Sequence, residues 1–387
     1  MRAVLLAGGT MAFAGVSGVL AQDAASDTDV QPFDWSVALR GQYKLDSGGG
    51  HLETILAPDA SITFGAARGQ TTLSTGATIA YDGALVHPDQ LRLGAASRYD
   101  LDPVTTAEGT LDLTLERLRP DDPNLPANTA IGPLEFTGTA DGSVTRKFGQ
   151  FDVTGRLTGE RFMAGPTTLN DASTIDNSHQ SYWLGAAGLR VGYEVTPLVS
   201  VFVDGSETYQ KFDAPSPTLL TFLDGRTTEL RAGISYTQDS IVSAEASIGR
   251  AWLDYFDPGL TDAPTWVYEA SLAVSPNATV NLTGTLETSL GPSATVAGDT
   301  DVDYTLTGAA RYQVNPWLTL RSSASWDRTI TLGTAGISSG YSFGAGLDWA
   351  SSRHAVWSAD YLFAHDDAPP APATDTHTVT VGLTIKR

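Results

Sequence analysis

Apolar and polar side chains alternate along segments of about ten residues, and this pattern constrains the fold more than any other feature of the chain. In the C-terminal half, short turn signals separate the segments at Pro197, Asp239, Pro276, Pro316 and Arg353, with gaps of 42, 37, 40 and 37 residues. Two segments and a longer polar loop lie between one turn signal and the next. This arrangement is typical of a transmembrane β-barrel.

The alternation has a direct physical cause in a membrane. Every backbone amide in a bilayer needs a partner within the protein, so a spanning sheet must close on itself. Side chains at odd and even positions then meet lipid outside and water or polar groups inside. In one segment, Trp183, Leu189 and Tyr193 share one face, and Arg190 and Glu194 share the other. We predict that the first face contacts lipid and the second faces the lumen.

The same pattern predicts the number of strands. We expect strands near residues 34–45, 52–68, 71–85, 90–103, 106–119, 134–148 and 151–163, and eleven more from residue 181 onward, which makes about eighteen. The segment around Pro58 is either a strand edge or part of a loop, so sixteen strands is the alternative. The predicted fold class is all-β, a transmembrane antiparallel up-and-down β-barrel over residues 34–387. Its long loops, 120–133 and 164–180, should face outside and its short turns the periplasm.

The N-terminal segment has the composition of an export signal. Arg2 precedes an apolar stretch over residues 3–21, and the small side chain of Ala21 suits cleavage before Gln22. A short N-terminal helix of the mature fold is the alternative. We predict a signal peptide over residues 1–21 and a disordered lead-in over residues 22–33, which are small and acidic. The expected location is the bacterial outer membrane.

The composition excludes several classes of function. The chain has no cysteine, so a disulfide framework, a thiolate metal site and a cysteine nucleophile are ruled out. The formal net charge of −21 argues against nucleic acid as a partner, because a phosphate-binding face needs clustered lysine and arginine. The six histidines show no catalytic spacing, and no His, Asp or Glu pair has a convincing metal-ligand spacing. We predict a protein that is not an enzyme and needs no cofactor.

Charged side chains on the predicted lumen face are the candidate functional residues. In the C-terminal half they are Arg190, Glu194, Glu229, Arg231, Glu245, Glu269, Glu287, Arg311, Arg321, Asp327, Asp348 and Asp360. One interpretation is ion pairs that stiffen the wall, for example Arg231 with Glu194 or Glu245. The other is an electric field across a pore, which sets ion preference. Because acids are in excess, such a pore would mildly favour cations or neutral solutes.

Several segments carry a family resemblance. Residues 191–202, VGYEVTPLVSVF, resemble a recurring segment of the putative outer-membrane β-barrel porin 2 family. Residues 243–249, 344–349 and 380–384 are similar to other Gly-rich strands of that family. The resemblance spans most of the mature chain and implies a large outer-membrane barrel with no catalytic residues to carry over. It also implies a link to surface polysaccharide, because some family members lie near surface-polysaccharide assembly genes.

Three functions are compatible with such a barrel. The first is a porin-like channel for passive passage of hydrophilic solutes. The second, from the resemblance, is an outer-membrane component of surface-polysaccharide (exopolysaccharide) export that works with a periplasmic partner. The third is a structural or adhesive barrel with a plugged lumen. In each case we expect outer-membrane lipid, lipopolysaccharide and the barrel-assembly machinery as partners.

Overall fold

The computed structural model of the protein describes most of the predicted barrel. The described residues are 33–46, 48–83, 86–120, 122, 125–126, 128–293, 300–332, 336–369 and 372–387. The predicted signal peptide and all of the lead-in except Phe33 lie outside them. In these described ranges, no helix has the length and hydropathy needed to cross a membrane.

Long strands account for most of the described chain. The first seven are β1 (Asp34–Asp46), β2 (Gly49–Ala66), β3 (Gly69–Tyr81), β4 (Val86–Asp102), β5 (Thr105–Arg117), β7 (Leu134–Phe148) and β8 (Phe151–Ala164). Eleven more are β11 (Tyr182–Thr196), β12 (Val199–Phe212), β13 (Gly225–Gln238), β14 (Val242–Tyr255), β15 (Ala263–Asn277), β16 (Val280–Pro292), β17 (Thr300–Asn315), β18 (Leu318–Leu332), β19 (Ile337–Ala350), β20 (Ala355–Asp367) and β21 (Thr374–Lys386). Three short strands lie in loops: β6 (Thr129–Ile131), β9 (Thr167–Leu169) and β10 (Thr174–Ile175).

The eighteen long strands form one closed antiparallel sheet. Each strand pairs with its neighbours along the chain, and β1 pairs with β21 to close the barrel. The predicted eighteen-stranded barrel is therefore confirmed, and the alternative of sixteen strands is wrong. Pro58 lies inside β2, and neither Ala57 nor Pro58 has a paired residue on β3. The hydrogen bonds between β2 and β3 therefore do not need the backbone N–H that proline lacks.

The turn signals mark the short connections with one exception. Turns follow β11 at residues 197–198 and β17 at residues 316–317, as the prolines predict. Pro276, however, lies within β15, and the turn is formed by residues 278–279. The register between β15 and β16 shifts between Val274 and Asn277, and this irregularity accommodates a residue that lacks an N–H. Both ends of the described barrel lie on the side of the short turns.

The two faces of the wall differ as the alternation predicts. On β11, Trp183 is 59% exposed and Leu189 is 55% exposed, whereas Arg190, the next residue after Leu189, is half-buried on the opposite face. Exposed apolar side chains alternate in the same way on β19 and β21, for example Phe343 and Val381. An apolar outer face is what a barrel presents to lipid.

The two longest loops pack against each other at the end of the barrel that carries the long loops. β6 of the first loop pairs with β9 of the second, and β9 pairs with β10. The buried Asn177 donates from Nδ2 to the carbonyl oxygen of Gly165 (2.8 Å) and to Oγ1 of the buried Thr167 (2.9 Å). The Asn177 bonds lie within the second loop, and the pairing of β6 with β9 joins the two loops.

Candidate functional site

The twelve charged residues singled out in the sequence all lie on strand faces opposite the exposed apolar side chains. The register makes this explicit, because Arg190 on β11 lies opposite Asp204 on β12, which in turn lies opposite Arg231 on β13. The inner face is not a dry core, since the side chain of Glu269 is 49% exposed. An inner wall of charged side chains that water reaches is the candidate functional site.

Arg190 and Glu245 form the best-defined ion pair of this wall. The two guanidinium Nη atoms of Arg190 each donate to one carboxylate oxygen of Glu245, both at 2.7 Å. This pair connects β11 with β14 across two intervening strands. The guanidinium lies over the ring of the buried Phe202, with Cζ 3.5 Å from the ring centroid. Bidentate and stacked geometry favours arginine over lysine at this position.

Asp204 is the centre of a second cluster that the sequence analysis missed. Its side chain is only 4% exposed and accepts a hydrogen bond from Arg156 of β8. Arg231 approaches the other carboxylate oxygen of Asp204, at 3.7 Å. The alternation of β12 could have identified Asp204, because Val201 and Val203 lie on the outer face and Asp204 lies on the inner face. Phe202 lies on the same inner face, and an aromatic residue there makes the polar face of β12 harder to recognise in the sequence.

The predicted partners of Arg231 are wrong. Arg231 contacts Glu229 on its own strand (Nε–Oε1 3.2 Å) and Glu269 on β15, in addition to Asp204. Neither Glu194 nor Glu245 pairs with it, and Glu245 is held by Arg190 instead. Residues on the adjacent strand therefore do not reliably predict the ion-pair partners of an arginine, because its side chain is long enough to reach across one strand to the next.

Arg321 organises a third cluster, on β18 to β20. Its Nε lies 2.9 Å from Oδ2 of Asp348, and its Nη2 lies 2.9 Å from Oδ1 of Asp348 and from Oδ1 of Asp360. One arginine therefore compensates two carboxylates. All three groups belong to the predicted set, and the structure brings them together.

Inward-facing glycines make the long-range pairs possible. Arg321 faces Gly346 across the β18–β19 register, and Gly346 faces Asp360 across the next, so Arg321 passes over a residue without a side chain. In the same way, Gly249 lies between Arg231 and the strand that carries Glu269. A Cβ at Gly346 would overlap Oδ1 of Asp360, and a Cβ at Gly249 would overlap the Arg231 side chain. A glycine inside a strand can mark this kind of close approach.

Gly346→Ala is expected to displace Asp360 from Arg321 while leaving the contact between Arg321 and Asp348. The added methyl group should cost about 1–3 kcal/mol in unfolding free energy, the usual range for overpacking. Urea unfolding of refolded protein in lipid vesicles measures this cost. Gly65→Ala is the control, because Gly65 also faces inward, opposite Gln70, and an added Cβ would have no atom within 4 Å. Equal loss of stability in both variants would contradict the proposed role of Gly346.

Four members of the predicted set have no ion pair among the described residues: Glu194, Glu287, Arg311 and Asp327. Arg311 lies opposite the like-charged Arg321. Asp327 and Asp366 approach each other across Gly340, since a Cβ at Gly340 would lie 2.8 Å from Oδ1 of Asp327 and 3.0 Å from Oδ1 of Asp366. Within the predicted set, the charges without an ion pair in the part of the chain that the structure describes are therefore three carboxylates and one arginine.

The acidic residues of the second long loop belong to turns. Asp171 accepts hydrogen bonds from the backbone N–H and the hydroxyl of Ser173 (3.0 and 2.6 Å), and these bonds hold its pKa below the usual value. Asp176 accepts from the N–H of Ser178 (2.8 Å), with the same effect on its pKa. Both carboxylates are exposed and shape the loop.

The histidines of β20 and β21 lie on the outer face. His365 stacks on Tyr341, and its Nδ1 lies 2.6 Å from Oδ1 of Asp375. The ring of His377 lies beside Phe363 and Tyr361. Across the described ranges, no three His, Cys, Asp or Glu side chains come together in a way that could hold a metal ion.

Comparison with solved structures gives several matches over most of the chain, all at low sequence identity. OccK11 (OpdR) of Pseudomonas aeruginosa is 11% identical, with a TM-score of 0.44 over 95% of this chain and 99% of that chain. OccK3 (OpdO) of the same organism is 12% identical, with a TM-score of 0.44 over 92% and 96%. OccAB4 of Acinetobacter baumannii is 9% identical, with a TM-score of 0.42 over 94% and 100%. No curated protein matches the sequence at a significant level.

A family comparison covers almost the whole barrel. The model described as putative beta-barrel porin 2 matches residues 42–387, from the middle of β1 to the C-terminus. Barrels of this architecture lie in the bacterial outer membrane, which is therefore the location of this protein. Its closed eighteen-stranded sheet, its apolar outer face and this match agree, and the chain belongs to the putative beta-barrel porin 2 family.

Proposed function

We propose that the protein is a porin-like channel for passive passage of hydrophilic solutes, with a preference for cations over anions. The observation that carries this proposal is the charge left uncompensated on the inner wall. Arg190 and Arg321 are held by carboxylates. The members of the predicted set without an ion pair among the described residues are three carboxylates and one arginine: Glu194, Glu287, Asp327 and Arg311. Barrels of sixteen to eighteen strands are wide enough to enclose an aqueous channel.

The preference follows from the field of the unpaired carboxylates. A charged wall concentrates counter-ions in the water next to it, within roughly 8–10 Å at physiological salt. Ion pairs such as Arg190 with Glu245 contribute little to this field because their charges largely cancel. The acidic excess therefore supports attraction of cations and mild exclusion of anions. Neutral hydrophilic solutes would pass with little influence from the field.

The test is the reversal potential of refolded protein in a planar bilayer under a potassium chloride gradient. We expect the reversal potential to have the sign of the potassium equilibrium potential. Its magnitude should decrease as the salt concentration rises, because screening shortens the range of the field. The double variant Glu287→Gln with Asp327→Asn should move the reversal potential toward zero. Glu207→Gln is the control, since Glu207 lies on the outer face of β12, where it pairs with Arg226 (3.5 Å) and accepts a hydrogen bond from the hydroxyl of Tyr209 (2.6 Å).

Three results would contradict the proposal. Anion selectivity of the unmodified protein would mean that the inner wall does not control ion passage. A complete absence of conductance would favour the plugged barrel or the polysaccharide-export component. Equal shifts in the double variant and in Glu207→Gln would show that the effect does not arise from the inner face.

A further inference from the structure

Basic side chains on the outer face of the barrel are concentrated on neighbouring strands. Four of them lie on the strands from β8 to β14: Arg161 of β8, Lys211 of β12, Arg226 of β13 and Arg250 of β14. Arg117 of β5, Arg146 of β7 and Arg328 of β18 also face outward. The register places each of the first four opposite an exposed, outward-facing aromatic residue: Arg161 and Lys211 opposite Trp183, Arg226 opposite Tyr209, and Arg250 opposite Trp266. We call these four residues the outer basic face.

The position of the outer basic face is unusual for a lipid-facing surface. β1 to β4 and β15 to β17 carry no lysine or arginine on the outer face over their described residues. Lys211 and Arg226 lie one residue from the long-loop ends of their strands, and Arg161 lies three residues from such an end. A cation costs most at mid-membrane and little near the interface, so these residues lie where lipid headgroups begin.

Only part of the outer basic face is neutralised by the protein. Arg161 pairs with Asp213 (Nη1–Oδ1 3.0 Å), and Arg226 pairs with Asp254 (3.1 Å) and Glu207 (3.5 Å). Lys211 and Arg250 have no carboxylate within 4.0 Å among the described residues.

The basic groups are held against aromatic rings. The guanidinium Cζ of Arg250 lies 5.3 Å from the centroid of Trp266, and that of Arg161 lies 5.0 Å from the centroid of Trp183. Cation–π contacts of this kind fix the position of an arginine while its N–H donors stay available. The surface thus presents two cations without a carboxylate partner among the described residues, each opposite an exposed tryptophan ring.

We propose that the outer basic face binds the phosphate groups of the phosphorylated glycolipid of the outer leaflet, lipopolysaccharide. Arginine and lysine are the side chains that bind phosphate most strongly, and the headgroup phosphates lie at the depth of these residues. Below the basic groups, the exposed Val203 and Ile248 offer an apolar surface to acyl chains. The proposal depends on the outer-membrane location and not on what passes through the lumen.

The test measures binding of purified, full-length protein in detergent to a lipopolysaccharide that carries both headgroup phosphates. Native mass spectrometry gives the bound fraction over a titration. Lys211→Gln with Arg250→Gln is expected to weaken binding on the order of tenfold, from loss of two cations at the headgroup. Lys211→Gln alone should give a smaller loss in the same direction, which keeps the test valid if the double variant folds poorly.

The control variant is Arg328→Gln. Arg328 is an outward-facing cation near the long-loop end of β18, opposite Tyr304, and no carboxylate lies within 4.0 Å of it among the described residues. It lacks basic neighbours on the adjacent strands, so its loss should leave binding unchanged. Migration of unheated samples in gel electrophoresis verifies that each variant is folded.

The chemistry of the ligand is tested with dephosphorylated glycolipid, which should bind the unmodified protein about as weakly as the phosphorylated form binds the double variant. Equal binding of the two glycolipids by the unmodified protein would overturn the proposal, because acyl chains alone would then explain the affinity. Unchanged binding by the double variant would overturn it as well. A change from dimer to monomer in the variant, without loss of glycolipid, would assign the face to a second copy of this chain.

Discussion

Leu189→Arg is expected to lower the free energy of unfolding by roughly 2–4 kcal/mol, the cost of an arginine on the lipid face near mid-membrane. Leu189 lies in the middle of β11, between the exposed rings of Trp183 and Tyr193, and its side chain is 55% exposed on the outer face. No outward-facing carboxylate of the adjacent strands lies opposite it, because its neighbours across the register are Gly155 and Gly205. Urea unfolding in lipid vesicles measures the loss.

Thr285→Arg is the matched control on the inner face. Thr285 lies at a similar depth on β16, opposite Ser271 and Thr307, and it is exposed. An arginine there meets water and lies two residues from the unpaired Glu287, so we expect a change within about 0.5 kcal/mol. Equal losses from Leu189→Arg and Thr285→Arg would contradict the assignment of the two faces.

Asp204→Asn should produce the second large effect, a loss of about 3 kcal/mol. The carboxylate is buried between Arg156 and Arg231, and removing its charge leaves those cations without their shared partner. We place the loss at the low end of the range for a broken buried pair. Arg156 is 41% exposed and can be solvated, and Arg231 retains Glu229 and Glu269.

Glu194→Gln is the control for Asp204→Asn. Glu194 also faces inward, on β11, and it has no ion pair among the described residues, so the expected change is within about 0.5 kcal/mol. The same unfolding assay, with near-ultraviolet circular dichroism to follow the aromatic surroundings of Phe202, compares the two variants. A milder effect at Asp204 than at Glu194 would mean that the buried cluster does not stabilise the wall.

The strands of the barrel could be predicted from the sequence because each strand side chain is apolar or polar according to whether it faces lipid or water. β7 was predicted at its observed bounds, residues 134–148, and β1 within one residue. The strands between residues 49 and 117 were displaced by one to four residues at their ends. Alternation is a property of the strand interior, and it fades where a strand enters a loop of mixed composition. Pro276 was misassigned for the same reason, since proline occurs both in turns and in strand irregularities.

The ion-pair partners of the charged side chains could not be predicted from the alternation. The sequence by itself determined that the chain alternates with period two, forms about eighteen strands, with sixteen as the alternative, and carries the twelve charges of the predicted set on the face opposite the apolar residues. The tertiary structure decided that Arg190 reaches Glu245 two strands further, that Arg321 crosses Gly346 to Asp360, and that Asp204 is buried. The alternation depends only on neighbours along one strand. An ion pair depends on the register between strands, on the reach of the side chain and on the glycines between them, and these are set only when the sheet closes.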